Sequence, residues 1–394
     1  MQTPGPPATS PQMAAEPRLR LTKPLERTIR DGHPWVYRSA LEGSAAPGTV
    51  VTLLDRRHRF LARGMTDEGP IGLRVWTTRD EPLDVGLVRS RVQRAKALRK
   101  ALPLGDTTAW RLLHGEGDGT PGVVVDRYGT EDGVFAVIRL DGSVAKLGWL
   151  IETMAASVEA DGVLVKRRRG APVEYLRGLR PPERAAIRER GMILLADLRR
   201  GQKTGLFLDH RESRARVRAL APGRRVLNLY GYTGGFSVAA GLGGATRVLT
   251  VDVAAPAVAM AQATWEANGL PDVHHGVAED APTFLARNDQ HWDLVIADPP
   301  SFAPNERSKP AALEAYAKLH AACLTRLARG GLYLAASCSS HVSAEDFLAT
   351  LRAGARRARV TLQVLEQNGA PADHPRLVSF PEGDYLKVVL ARPC

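Results

Sequence analysis

A chain of 394 residues, 44% hydrophobic and 24% charged, is long enough for two or three domains, each with its own core. The formal net charge of +12 favours an anionic partner, with nucleic acid ahead of a membrane surface; the competing explanation is a basic background composition. Three cysteines, none at zinc-ligand spacing, exclude a disulfide framework, imply no metal, and suit a reducing cytoplasm.

In chain order, residues 1–17 (MQTPGPPATSPQMAAEP) lack the apolar core of a signal peptide and read as a disordered Pro/Ala tail. No later run approaches the roughly 18 apolar residues of a membrane span, so no membrane partner is expected. Between residues 18 and 80 the runs VTLL (51–54), FLARGM (60–65) and IGLRVW (71–76) are separated by turns, the pattern of a small β-barrel. Its turns are basic. Arg30 and Arg38 are candidates for RNA contact, although a structural barrel with solvated charges fits the composition equally well.

A middle α+β domain is expected over 81–195, opening with an amphipathic helix near 83–108 and a strand at 123–126. It contains the run Lys166-Arg167-Arg168-Arg169, either a solvated hairpin tip or, through Arg167 and Arg168, a phosphate contact.

From 196 to 394 the pattern becomes strand, helix, strand. Apolar strands at 225–230, 247–252, 292–298 and 332–338 alternate with helices near 254–268, 309–328 and 343–357. That alternation predicts a doubly wound, Rossmann-like parallel sheet, and 360–367 with 385–391 suit an antiparallel pair at one edge. Such sheets bind ligands beyond their strand ends. The first strand runs into Asn228-Leu229-Tyr230-Gly231-Tyr232-Thr233-Gly234-Gly235, a glycine-rich turn without the spacing that holds a dinucleotide pyrophosphate. The second ends at Asp252, followed by Val253, where a carboxylate can accept both ribose hydroxyls. Glu279 and Asp280 follow a short strand at 273–277, where an adenine amino group would lie. Together they make an adenosine site, for which S-adenosylmethionine is the commonest ligand of the type.

The fourth strand meets Asp298-Pro299-Pro300-Ser301-Phe302, a stiff extended loop able to hold a carboxylate against a base. The next ends at Ser337-Cys338-Ser339. Cytosine C5 is too weak a nucleophile to attack a sulfonium unaided. A thiolate adding at C6, with a carboxylic acid near N3, overcomes this, so Cys338 and Asp298 are the candidate catalytic pair. Cys323 and Cys394 are given no role.

These motifs, with LTKPLERTIRDGHPWVYRSAL, RLLHGEGDGTPGVVVDRYG and GQKTGLFLDHRESR, resemble the large-subunit ribosomal RNA methyltransferase I family over about 18–394. The resemblance implies a PUA-like barrel, a middle domain and a class I methyltransferase domain acting on cytosine C5 of 23S rRNA or a large-subunit precursor. It implies that Tyr230, Gly231, Asp252 and Asp280 bind S-adenosyl-L-methionine, and that Phe207, Asp209 and Arg211 line the cofactor or base pocket. Asn228, Thr233, Gly234, Val253 and Asp298 complete the expected cofactor set, and Lys203 joins the expected RNA contacts. Ser301 stands where many RNA cytosine-5 enzymes carry a second cysteine for product release, so the C5 proton needs another acceptor. Two other functions fit the motifs, a base-nitrogen methyltransferase that needs Asp298 but no thiol, and a non-catalytic ribosome-assembly factor. The sequence leaves the methylated nucleotide and the oligomeric state open, a homodimer included.

Overall fold

The computed structural model describes residues 16–167 and 172–394. Most of the expected N-terminal tail, together with Arg168 and Arg169, lies outside the described residues.

Six strands, Arg18–Leu21, Trp35–Tyr37, Leu41–Glu42, Val50–Leu54, Phe60–Thr66 and Ile71–Thr77, form the first sheet. The three longest are those that the alternation reveals. The other three are two to four residues long, too short for a period of two to register. Leu19, Leu21, Val51, Leu53 and Leu73 fill its interior.

The middle unit is a five-stranded sheet built from Ala109–His114, Val123–Thr130, Gly133–Leu140, Gly162–Lys166 and Glu174–Gly178. Helices Val85–Ala101 and Gly148–Ser157 cover one face, burying Val88, Val92, Leu150 and Met154. The expected first helix stops at Ala101, because Pro103 and Gly105 break the pattern beyond it. A hairpin, Ala185–Glu189 with Met192–Ala196, packs on the opposite face through Ile187 and Leu194.

The C-terminal sheet has seven strands, numbered here within it: β1 Arg225–Leu229, β2 Arg247–Asp252, β3 His274–Ala278, β4 Trp292–Ala297, β5 Leu327–Ser337, β6 Leu362–Asn368 and β7 Lys387–Pro393. Their order is β3-β2-β1-β4-β5-β7-β6, parallel except for β7, which runs antiparallel to β5 and β6. Helices α1 Arg211–Leu220, α2 Gly235–Leu242, α3 Ala255–Ala267, α4 Ala281–Arg287, α5 Lys309–Thr325 and α6 Ala344–Ala358 flank it. Apolar residues along both sides of β1, β4 and β5 are buried beneath two helical layers, which is why these strands read as continuous apolar runs. A capping box between Ser343 and Asp346 starts α6.

The connector from β6 to β7 leaves the sheet and reaches both other units. Phe380 packs edge-on against Trp35 of the first sheet, with ring centroids 4.6 Å apart. Asp373, completely buried, accepts the Arg111 backbone N–H at 2.9 Å and pairs with the Arg211 guanidinium at 2.7 Å. Arg99, itself paired with Asp118, donates to the Asp373 carbonyl at 2.7 Å. Among the described residues no helix is long and apolar enough to cross a membrane.

Candidate active site

Beyond the carboxyl ends of β1, β2 and β4 lies a cavity of about 770 Å³. Phe207, Tyr230, Gly231, Thr233, Asp252, Val253, Asp280, Asp298 and Cys338 all line it, so residues up to 131 positions apart in sequence, Phe207 to Cys338, share one space.

The turn after β1 is built by close approach and strain. Tyr230 and Tyr232 both take left-handed backbone angles, φ 56° and 46°, which non-glycine residues hold only where the surroundings impose them. Gly231 carries no side chain because a Cβ there would stand 2.5 Å from the Thr250 methyl. The Asp252 carboxylate accepts the Tyr232 and Ala254 backbone N–H groups, each at 2.9 Å, and so fastens the turn to the end of β2. Each oxygen keeps a second lone-pair direction for a diol. Asp280 caps α4 through Thr283 and remains exposed at the cavity.

Four of the expected residues stand elsewhere. Asn228 is buried and donates to Ser237 at 2.9 Å, while Gly234 packs against Ala261. Arg211 is turned into its ion pair with Asp373, away from the cavity lining, so its role is in joining units. Asp209 lies buried behind Phe207. It accepts from Lys203 Nζ at 2.6 Å and from the Tyr385 hydroxyl at 2.8 Å. Burial opposes ionisation of Asp209, but the Lys203 ammonium more than offsets it and holds the carboxyl well below its usual range.

At the other end of the cavity, Asp298 follows β4 directly and faces His210, whose Nε2 stands 3.0 Å from Oδ2. His210 is almost fully buried, lines the cavity, and has no partner at Nδ1 among the described residues. The tautomer with the proton on Nε2 therefore satisfies most, donating to the carboxylate. Sequence reasoning passed over His210 although it adjoins Asp209; a lone histidine in a helix-start segment carries no distinguishing spacing. Burial pushes the Cys338 thiol up, and the Asp298 charge adds to the effect, while Lys203 opposes it. Cys323 is buried within α5 and Cys394 is exposed at the chain end. His341 pairs with Glu306, not with the thiol.

The expected RNA contacts are scattered. Arg30 is exposed. Arg38 is spent partly on the Gly69 and Asp67 carbonyls, and Arg167 on Glu174 and the Ala145 carbonyl. Lys203 does not lie on an open surface, since its ammonium sits on Asp209 and 4.2 Å from the centre of the Phe207 ring.

A family model described as S-adenosylmethionine-dependent methyltransferase matches residues 144–391, and one described as a PUA-like domain matches 19–78. A ribosomal RNA large subunit methyltransferase from Deinococcus radiodurans is 40% identical, the match covering 94% of this chain and 96% of that one. A ribosomal RNA large subunit methyltransferase I from Erwinia tasmaniensis is 36% identical over 94% of this chain and 98% of its own. Among solved structures, a methyltransferase complexed with SAH superposes with a TM-score of 0.86 at 26% identity, covering 96% of this chain and all of that one.

Proposed function

Since this chain belongs to the S-adenosylmethionine-dependent methyltransferase family, in its large-subunit ribosomal RNA branch, we propose that it methylates C5 of a cytidine in 23S rRNA or its precursor. The observation that carries the reading is that one cavity holds both the Cys338 thiol and the Asp298 carboxylate. Tyr230, Gly231, Thr233, Asp252, Val253 and Asp280 would hold the cofactor, and the strained turn with its carboxylate at the end of β2 fits an adenosine with a free diol. When bound, S-adenosylmethionine supplies an electrophilic methyl group.

The chain's own residues do the rest. The Cys338 proton passes to Asp298, the sulfur bonds to C6, and the Asp298 carboxyl delivers that proton to N3. The C5=C6 pair is then available at C5 to take the methyl. The C5 proton leaves to water or to Asp298, because Ser301 offers no thiol. The sulfur departs from C6, restoring the double bond, and recovers its proton from N3 through Asp298. His210 keeps one carboxylate oxygen occupied and leaves the other for the base.

RNA bearing 5-fluorocytosine at the target tests this. Fluorine cannot leave as a cation, so a covalent protein–RNA adduct should accumulate only with S-adenosylmethionine and vanish in Cys338→Ala. A Cys338→Ala protein that methylates at close to the parent rate would instead make this enzyme a base-nitrogen methyltransferase. The barrel over 18–80, with Arg30 and Arg38, and Arg167 of the middle unit are proposed to meet the RNA backbone.

A further inference from the structure

Loop 201–205, which precedes the helical turn carrying Asp209 and His210, is clamped from two sides. From the middle unit, Lys166 Nζ donates to the Gly201 and Lys203 carbonyls at 2.8 and 3.0 Å. Thr204, fully buried, donates to Asp126 at 2.5 Å, and its oxygen lies 2.8 Å from the Tyr128 hydroxyl. From the glycine-rich turn, the Tyr232 hydroxyl accepts the Gln202 N–H at 2.9 Å. Between these anchors Lys203 takes φ 51°, a left-handed angle that lysine does not choose for itself.

The imposed angle sends a cation to the wall of the cavity. Its ammonium donates to Asp209 and caps the ring of Phe207, which lines the same space as Cys338. The charges facing the sulfur come from every element around it. Asp298 stands after β4 with His210 against it, and Asp209 lies behind Phe207 with the Tyr385 hydroxyl on it. Lys387 of β7 is committed to the Ser339 and Tyr385 carbonyls. Both carboxylates disfavour a thiolate, and Lys203 is the cation of this group that most favours one.

We propose that the middle unit is a buttress for this loop, and that Lys203 is the positioning cation that stabilises the Cys338 thiolate. The use of that thiolate in methylation rests on the function proposed above. In the free protein the thiol proton leaves to solvent.

Alkylation reads the thiolate without RNA or methyl transfer. In the full chain carrying Cys394→Ser, iodoacetamide reports Cys338, because Cys323 is buried. Lys203→Met should move the pH midpoint of alkylation upward and slow the reaction at about pH 8 by about tenfold. Lys203→Arg should restore most of the rate, and Lys166→Met, which loosens the loop, should shift the midpoint the same way by less. Calorimetric binding of S-adenosylmethionine identifies any variant that fails to fold. An unchanged midpoint in cofactor-binding Lys203→Met overturns the proposal. If that variant does not bind cofactor, an unchanged midpoint in Lys166→Met does so. A shifted midpoint in a protein that forms no adduct with the fluorinated RNA upholds the Lys203 assignment and removes only the cytosine reading.

Discussion

His210 is held by geometry that only the folded chain reveals, since its partner Asp298 arrives from the far side of the first β–α–β repeat. Asp252, Asp280, Asp298 and Cys338 were legible because each follows a strand that the apolar pattern marks, and strand ends in such sheets point at one crevice. Contacts between loops have no such period. The consequence for His210 is specific. His210→Leu should lower kcat about a hundredfold, roughly what misplacing a catalytic group by an ångström costs, with S-adenosylmethionine affinity retained. His210→Gln, whose amide can still donate to the carboxylate, should recover most of it. Single-turnover rates on substrate RNA check both, and equal rates in the Leu and parent proteins would reduce His210 to packing.

Among elements, β3 shows how an interior polar group ties strand to helix. His274 Nδ1 donates to Gln262 at 2.8 Å, its Nε2 lies 2.7 Å from the Thr250 hydroxyl, and its ring stacks on Trp265 of α3. Burial pushes His274 down to about 4, so the folded protein keeps it neutral where the unfolded chain protonates it. The stability it contributes is complete above about pH 6.5 and is lost as pH falls toward 4, amounting to about 3 kcal/mol. His320, pushed by burial to about 3, adds a loss of the same sign. Urea unfolding at pH 7 and pH 4.5 should show this, with a smaller difference in His274→Gln. The long strands and helices of this sheet were readable in advance, as was the antiparallel β6–β7 edge. The cross-links were not, because Thr250, Gln262 and His274 share no pattern, only a place.

At the scale of the whole molecule, the surplus of positive charge and the PUA-like barrel bear on RNA. If Arg30 and Arg167 each neutralise a phosphate, the log–log salt dependence of RNA affinity should be shallower by about 0.7 per contact in Arg30→Ala with Arg167→Ala. Filter binding across a salt series measures it, and an unaltered slope would leave these arginines as solvated surface. Three units were readable from composition and periodicity. What the sequence concealed is that they are joined through the connector between β6 and β7, a stretch with neither strand nor helix period. That connector also sets an order in time. A chain made from its N-terminus presents Arg111 to the solvent 262 residues before Asp373 leaves the ribosome to accept its backbone N–H. Until then Arg99 and Arg211 also lack their contacts with that residue, so the barrel, the middle unit and the sheet can each form but cannot lock together. Nascent chains halted at Asn368 should therefore be cut by protease between the units where the released protein resists, and synthesis itself becomes the last step of assembly.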